Sequence, residues 1–349
     1  METVCQSCGR ERNQESLFCG NCGQLFTGNG KIVINRQGGA SSKPTFGQAA
    51  TPKKATSKKK SSGSNTTLVT YSADDLGDVA SALSSAASEF FVKSGKSHIY
   101  FGSYPQTLMA DGVQIVSKKP NARGYYRGSD GALYAKVVAT PLQTTYSFTN
   151  GVKIVQNREY YFKVEPIKWR ILTSTSGVAL LFSDKILTCH CYSSKDNNYA
   201  ESDIRKWLNS TFINQAFTRE EQIFLREMQC DNGVASTGYD KNPYACGPTR
   251  DYVFLLSIKE LMEPKFGFEP KDKAADPARR KVTTDYARAM GVGVGDHFPG
   301  TCQWWTRSSA AFNALWARPV EESGGLNLSA TTANIWTGVV PAVLAFIGE

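Results

Sequence analysis

The spacing of apolar residues divides the chain at about residue 66. From Ser72 to Phe91 the pattern is helical: Leu76, Val79, Leu83, Ala87 and Phe90 fall on one face. Ser72 can cap this segment, and Asp74 and Asp75 suit its first turn. The helix is expected to pack on the domain that follows. Strand-like sequence begins at Ile99-Tyr100-Phe101 and recurs at 132–138, 152–156, 159–164, 167–172 and 178–183, mostly separated by Gly, Asn or Pro. Residues 201–209 place Ile204, Trp207 and Leu208 on one helical face, continuing to Phe212. A second helix is expected over 219–228, where Thr218 and Glu221 form a capping box. A third, about 283–290, ends at Gly291. The stretches 229–250 and 291–340 are rich in Gly, Asn and Ser and read as irregular. Strands and helices seldom alternate, so the pattern predicts a loop-rich α+β fold rather than a doubly wound parallel sheet.

Before residue 66 no such periodicity exists. Residues 27–66 run in Gly, Ser, Thr, Gln and Lys, with charge runs at Lys53-Lys54 and Lys58-Lys59-Lys60. Too few apolar groups are present to offset the entropy of ordering them, so a disordered basic linker is expected. Four parts result: a cysteine-rich segment at 1–26, a linker at 27–66, a helical segment at 67–95 and one large domain at 96–349.

The cysteines of the first part carry the strongest chemical signal. Cys5 and Cys8, then Cys19 and Cys22, form two C-x-x-C knuckles, each followed by a glycine (Gly9, Gly23). Four thiolates leave no open coordination position, so the pattern predicts a structural zinc in a short ribbon. A redox pair or disulfides are the alternative, weakened by a segment too small for a core of its own.

Composition and charge then narrow the function. The 349 residues are 41% hydrophobic, enough for a sizeable core, and no apolar run approaches the length of a membrane span. The start, Met1-Glu2-Thr3-Val4-Cys5, lacks a signal-peptide pattern, so a cytoplasmic location with reduced thiols is expected. Net charge is +9, but residues 1–65 hold ten Lys/Arg against three acids, and the remainder holds 30 against 28. The basicity therefore belongs to the tail, which weakens a nucleic-acid reading of the main domain and leaves association through 43–60 as the surviving form of it.

Candidate catalytic groups are sparse. The three histidines are His98, His190 and His297. His190 lies in Cys189-His190-Cys191, where an extended backbone puts the ring and the sulfurs on opposite faces and spoils a three-ligand grip. His297 follows a Gly-rich run (Gly291, Gly293, Gly295) that comes after a helix instead of opening one, so it reads as a connection rather than a phosphate loop. Glu220 and Glu221 are explained by the helix dipole.

Several segments resemble a known family. These are Ile99-Tyr100-Phe101-Gly102-Ser103-Tyr104-Pro105-Gln106, Tyr160 through Leu172, Ile204-Arg205-Lys206-Trp207-Leu208-Asn209, Asp251 through Ser257, Trp304-Trp305-Thr306-Arg307-Ser308 and Gly338-Val339-Val340-Pro341-Ala342. In this order over about 99–349 they resemble a bacterial family designated domain of unknown function 6273. Its tail is similar to the C-terminal part of C-type-lectin-like folds, including formylglycine-generating enzymes and the variable proteins of diversity-generating retroelements. The resemblance implies a C-type-lectin-like scaffold whose C-terminal loops bind a ligand. Thr306 and Ser309 depart from the usual Leu and Pro, and Val340 stands where Arg is usual, which removes a possible contact. The formylglycine-generating comparison implies a reactive cysteine, for which Cys302 beside the Trp pair is the candidate, without an identifiable partner.

Between Arg307 and Gly338, small polar residues are interspersed with aromatics, a mix suited to adaptable binding surfaces. The expected contacts with a protein or glycan ligand are Ser309, Phe312, Asn313, Leu315, Trp316, Asn327, Ser329, Thr331, Asn334 and Trp336. The alternative is a surface hairpin with Trp316 and Trp336 packed inward. Adenine-directed mutagenesis of Asn codons reaches every residue type in 308–337 except those of Trp316, Glu321, Glu322 and Trp336. If the segment is diversified, the two tryptophans are a fixed platform, and Phe312, Asn313, Asn327 and Thr331 are variable contacts.

Overall fold

The computed structural model describes residues 86–348 apart from 273–274, together with three short strands nearer the N-terminus. Those three, Ile32–Asn35, Thr45–Gln48 and Leu68–Thr70, form an antiparallel sheet with Ile32–Asn35 in the middle and belong to a unit spanning Met1–Ser85. The four ribbon cysteines, the rest of the 27–66 linker and the first part of the 72–91 helix lie outside the described residues.

The second unit begins at Ala86. Residues 86–90 are helical, and Phe91 stacks on Phe101 with ring centroids 4.2 Å apart. Its largest sheet has nine strands, built around His98–Leu108, the 17-residue Glu159–Thr175, Val178–Ser183 and the C-terminal Ala342–Phe346. Ala342–Phe346 lies antiparallel to Val178–Ser183 and on its other side pairs with Leu225–Arg226 and Val253–Phe254. The end of the chain is thus woven into the sheet interior.

Glu159–Thr175 merges the two strands expected at 159–164 and 167–172, with Pro166 inside it. Proline cannot donate to a ladder and is tolerated at an irregularity. Here the pairing with His98–Leu108 shifts register between Tyr100 and Ser103, and Pro166 falls opposite Ser103. Gly102 lies in that shift with φ of +63°, and a Cβ there would collide with the Phe217 ring. Only glycine satisfies both constraints, which accounts for the Phe-Gly-Ser segment. Beneath it, the Trp169 indole donates to the Phe101 carbonyl at 2.7 Å.

The helices differ from expectation in length. The one expected at 201–209 runs on through Asp203–Trp207, a π turn at Leu208–Phe212, and Ile213–Ala216. Ser202 caps it, and Asn209 in the π turn accepts from the Tyr252 and Val253 amides while donating to the Val253 carbonyl. The Thr218–Glu221 capping box is present, but its helix stops at Gln222 because Leu225 and Arg226 join the sheet. Asp285–Met290 is the third helix, closed by Gly291 in the left-handed region. The stretch 152–156 forms no strand; Ser147 and Lys153 are joined by an isolated bridge.

A second, five-stranded sheet runs in the order Thr188–Cys189, Gly338–Val339, Trp304–Ser309, Trp316–Val320, Ala330–Thr331. Both sheets share the mixed α+β core. Among the described residues no helix is long and apolar enough to cross a membrane.

Candidate ligand-binding site

The C-terminal loops stand on a framework of buried polar groups. All six residues of Trp304–Ser309 are buried. Successive strand side chains face opposite ways, so a continuous buried run means that both faces are covered. Trp304 packs on Phe182 and Trp305 on Tyr192, at 5.6 and 5.4 Å between centroids. Their indole N–H groups donate to the carbonyls of Arg279 and His190.

Two buried guanidinium groups tie this framework together. Arg307 makes a bidentate pair with Glu260 at 2.6 and 2.9 Å and donates to the Leu255 and Asp231 carbonyls. Burial opposes the Arg307 charge, but Glu260 more than offsets it and holds the guanidinium above the ordinary arginine range. Arg318 donates to the carbonyls of Thr237 and Leu326 and lies 4.5 Å over the Tyr239 ring. Asn197, also buried, donates to three carbonyls of the turn above it, those of Ala310, Asn313 and Trp316. This turn is held from beneath.

On that framework the expected contact residues separate into two groups. Ser309 is buried, donating to the Tyr244 carbonyl and accepting from Asn242, so it braces the framework instead of facing a ligand. Asn334 is also buried and accepts from the Trp336 amide, closing a tight turn. Asn313 is exposed, yet its side chain accepts from the Leu315 amide and shapes its own turn. Asn327 and Thr331 are exposed, and Ser329 and Trp316 are half-buried. Thr331 pairs with Trp316 across the edge of the sheet.

Four large apolar side chains project from these turns: Phe312 at 64% exposure, Leu315 at 53%, Ile335 at 67% and Trp336 at 39%. The Phe312 ring lies 5.9 Å from that of Trp316. Neither Trp316 nor Trp336 belongs to the core. The segment 331–336 leads from the Trp316 edge to a cavity at its far end.

That cavity, of about 470 Å³, is lined by Trp336, Tyr146, Leu142, the loop 293–297, Gln303, Leu328, Glu321 and Glu322. Its loop wall is pinned. The Tyr146 hydroxyl donates to the Val294 carbonyl and accepts from the Val294 amide, while Gly293 and Gly295 donate to the carbonyls of Trp336 and Thr301. Leu142, Tyr146, Glu321 and Glu322 were not among the expected contacts. They come from segments far apart in sequence, and no local spacing marks them as neighbours.

Cys302 also borders the cavity, but it is 1% exposed and burial pushes its thiol well above the usual range. A reactive cysteine requires the thiolate at working pH, which this environment opposes. Cys189 is buried, donates to the Met290 carbonyl and is pushed up to about 12, chiefly by desolvation. The His190 ring stacks on Trp207 at 4.9 Å. Among the described residues no group of three or more His, Cys, Asp or Glu is placed to hold a metal ion.

No curated protein and no solved structure matches this chain. Residues 176–344, from the turn before Val178–Ser183 through most of the C-terminal strand, match the family model described as Domain of unknown function (DUF6273), and it is to that family that the chain is similar.

Proposed function

We propose that this protein binds a protein or glycan ligand through the loops within 308–337, presented on a C-type-lectin-like scaffold. The observation that carries the reading is the contrast at Phe312, Leu315, Ile335 and Trp336. These side chains are exposed, while the backbone beneath them is fixed by the buried Asn197 and Asn334. Exposed apolar groups on pre-ordered turns lose little further entropy on binding, which is the economy of a recognition surface. Aromatics beside small polar residues add adaptable contacts. The thiol of Cys302, buried and held protonated, favours this reading over a formylglycine-generating type of enzyme.

The test is a glycan array together with a displayed-peptide library, probed with wild type, Phe312→Ala and Trp336→Ala. Ligands retained by wild type and lost by variants that melt at the same temperature support the reading; retention by both variants overturns it. Diversification by a retroelement is tested by sequencing the 3′ end of the gene across a population. Substitutions confined to codons 308–337 and to template adenines support it, and a uniform sequence removes it.

The tail is assigned a docking or positioning role in the cytoplasm. Cys5, Cys8, Cys19 and Cys22 are proposed to hold one structural zinc. One zinc per chain by elemental analysis, lost in Cys8→Ser with Cys22→Ser, is the expected outcome. Nucleic-acid affinity unaffected by deletion of 43–60 would exclude that segment as its source.

A further inference from the structure

The cavity beside Trp336 combines apolar walls with unpaired negative charge. Leu142, Tyr146, Leu328 and Trp336 supply an aliphatic and aromatic lining, and Asp296, Glu321 and Glu322 contribute three carboxylates. No lysine or arginine lines it, and His297 is its one basic group. Across residues 66–349 basic and acidic groups nearly balance, at 30 against 28, so three acids grouped this way make a local field.

None of the three carboxylates is in an ion pair among the described residues. The arginines of adjoining segments are engaged elsewhere. Arg280 donates to the Ser323 carbonyl at 2.9 Å and lies 4.2 Å over the Phe298 ring. Arg288 donates to the Thr283 hydroxyl and the Ser147 carbonyl. Among the described residues the Glu321 carboxylate accepts from the Ser323 hydroxyl, at 3.2 Å. Glu322 is half-buried and packed so closely on Gly295 that any Cβ there would collide with its carboxylate. A cation placed among carboxylates that have no cationic partner gains attraction from each of them.

The geometry points to an organic cation, an ammonium or guanidinium group on an aliphatic stem, as the occupant of this cavity. The inference rests on the binding reading above and names the chemistry of one ligand group. A volume of about 470 Å³ accepts a lysine- or arginine-sized side chain with room for ordered water, and far exceeds a bare metal ion. The stem lies along Leu142 and Leu328, the cation faces Glu321 and Glu322, and Trp336, partly exposed at the rim, offers a ring face to it. The same group is carried by basic residues of a protein and by free polyamines.

Calorimetric titration of the full-length protein with defined probes tests this. The probes are Nα-acetyl-lysine amide, Nα-acetyl-arginine amide, cadaverine and the uncharged Nα-acetyl-norleucine amide. At least one cation is expected to bind, more weakly as salt rises, while norleucine amide does not. Glu322→Gln is expected to weaken binding by about tenfold or more, the size of a lost charge-assisted contact. Trp336→Leu provides a second variant, with thermal melting as the folding control for both. Binding of the amino-acid amides without cadaverine assigns the cation to a protein ligand, and the reverse assigns it to a free amine; both uphold the cavity's chemistry. No binding by any cation, equal binding of norleucine amide, or unchanged affinity in Glu322→Gln overturns it. The surface reading is judged separately. Array ligands sensitive to Phe312→Ala, alongside a null cation titration, sink the cavity assignment alone. Array ligands indifferent to both Phe312→Ala and Trp336→Ala sink the surface reading, whatever the cations do.

Discussion

Two six-residue segments of the C-terminal region share a vocabulary and differ in fate. Trp304–Ser309 reads Trp-Trp-Thr-Arg-Ser-Ser, and residues 331–336 read Thr-Thr-Ala-Asn-Ile-Trp. Every residue of the first is buried, whereas the second alternates and ends with Ile335 and Trp336 exposed. The difference lies in where polar groups find partners. In the strand, Thr306 donates to the Arg318 carbonyl, Ser308 to that of Ser236, and Arg307 reaches Glu260. In the loop, Asn334 closes its own turn and the Thr332 amide donates to the Leu315 carbonyl. The backbone of both segments is tied to distant segments of the chain. What differs is the polar side chains, which in the strand reach long-range partners and are drawn inward, and which in the loop turn back at Asn334 and leave Ile335 and Trp336 outside.

Breaking the framework is the harshest test of this contrast. Glu260→Ala strands the Arg307 guanidinium in the interior, and a loss of about 3–5 kcal/mol in urea unfolding is expected. A loss below 1 kcal/mol, on the order of a surface pair, would mean that the pairing is not what holds the strand inside.

Asn197→Ala leaves three loop carbonyls without their shared donor. A cost of about 1–3 kcal/mol is expected, together with faster amide exchange confined to 310–316. Unchanged exchange there would show that the turn orders itself.

Lys281 sharpens the comparison by showing a buried amine that, among the described residues, has no carboxylate in contact. It is 3% exposed, its ammonium lies 4.2 Å over the Phe182 ring, and desolvation lowers its pKa to about 7 despite the opposing influence of Asp184. The unfolded amine keeps its proton to about 10.5, so between 7 and 10.5 this group binds more protons in the unfolded chain and its own contribution to stability rises with pH. Lys281→Met is expected to flatten that rise and to stabilise the protein at pH 6 by about 1–2 kcal/mol. A stability difference between wild type and Lys281→Met that stays constant across the same window, measured by urea unfolding, would contradict the assignment.

The smallest effect belongs to the loop. Phe312→Ala is expected to shift stability by no more than about 0.5 kcal/mol, because the ring is 64% exposed. A core-sized loss of about 3 kcal/mol or more would move Phe312 from the surface into the framework.

Local signals in the sequence located starts better than ends. Thr218 and Glu221 marked a helix start that needs only neighbouring residues, but the stop at Gln222 depends on Leu225 meeting Ala345 across the sheet. Pro166 suggested a break between strands; the register shift opposite Gly102 and Ser103 absorbs it instead. Within 308–337, composition singled out Phe312, Leu315 and Trp336, which are exposed, but could not separate them from the inward-facing Ser309 and Asn334. The cavity was illegible because Tyr146, Val294, Glu322 and Trp336 come from four segments joined only by the fold.

The sequence by itself determined the α+β character, the capping box at Thr218 and Glu221, the concentration of basic charge in the tail and the mixed aromatic and polar makeup of the C-terminal segment. Each of these follows from residues within a few positions of one another. Tertiary structure alone decided which of those aromatics face water, that Arg307 meets Glu260, and that three carboxylates share one cavity. Those outcomes depend on long-range strand pairing, where a single register step exchanges inside for outside.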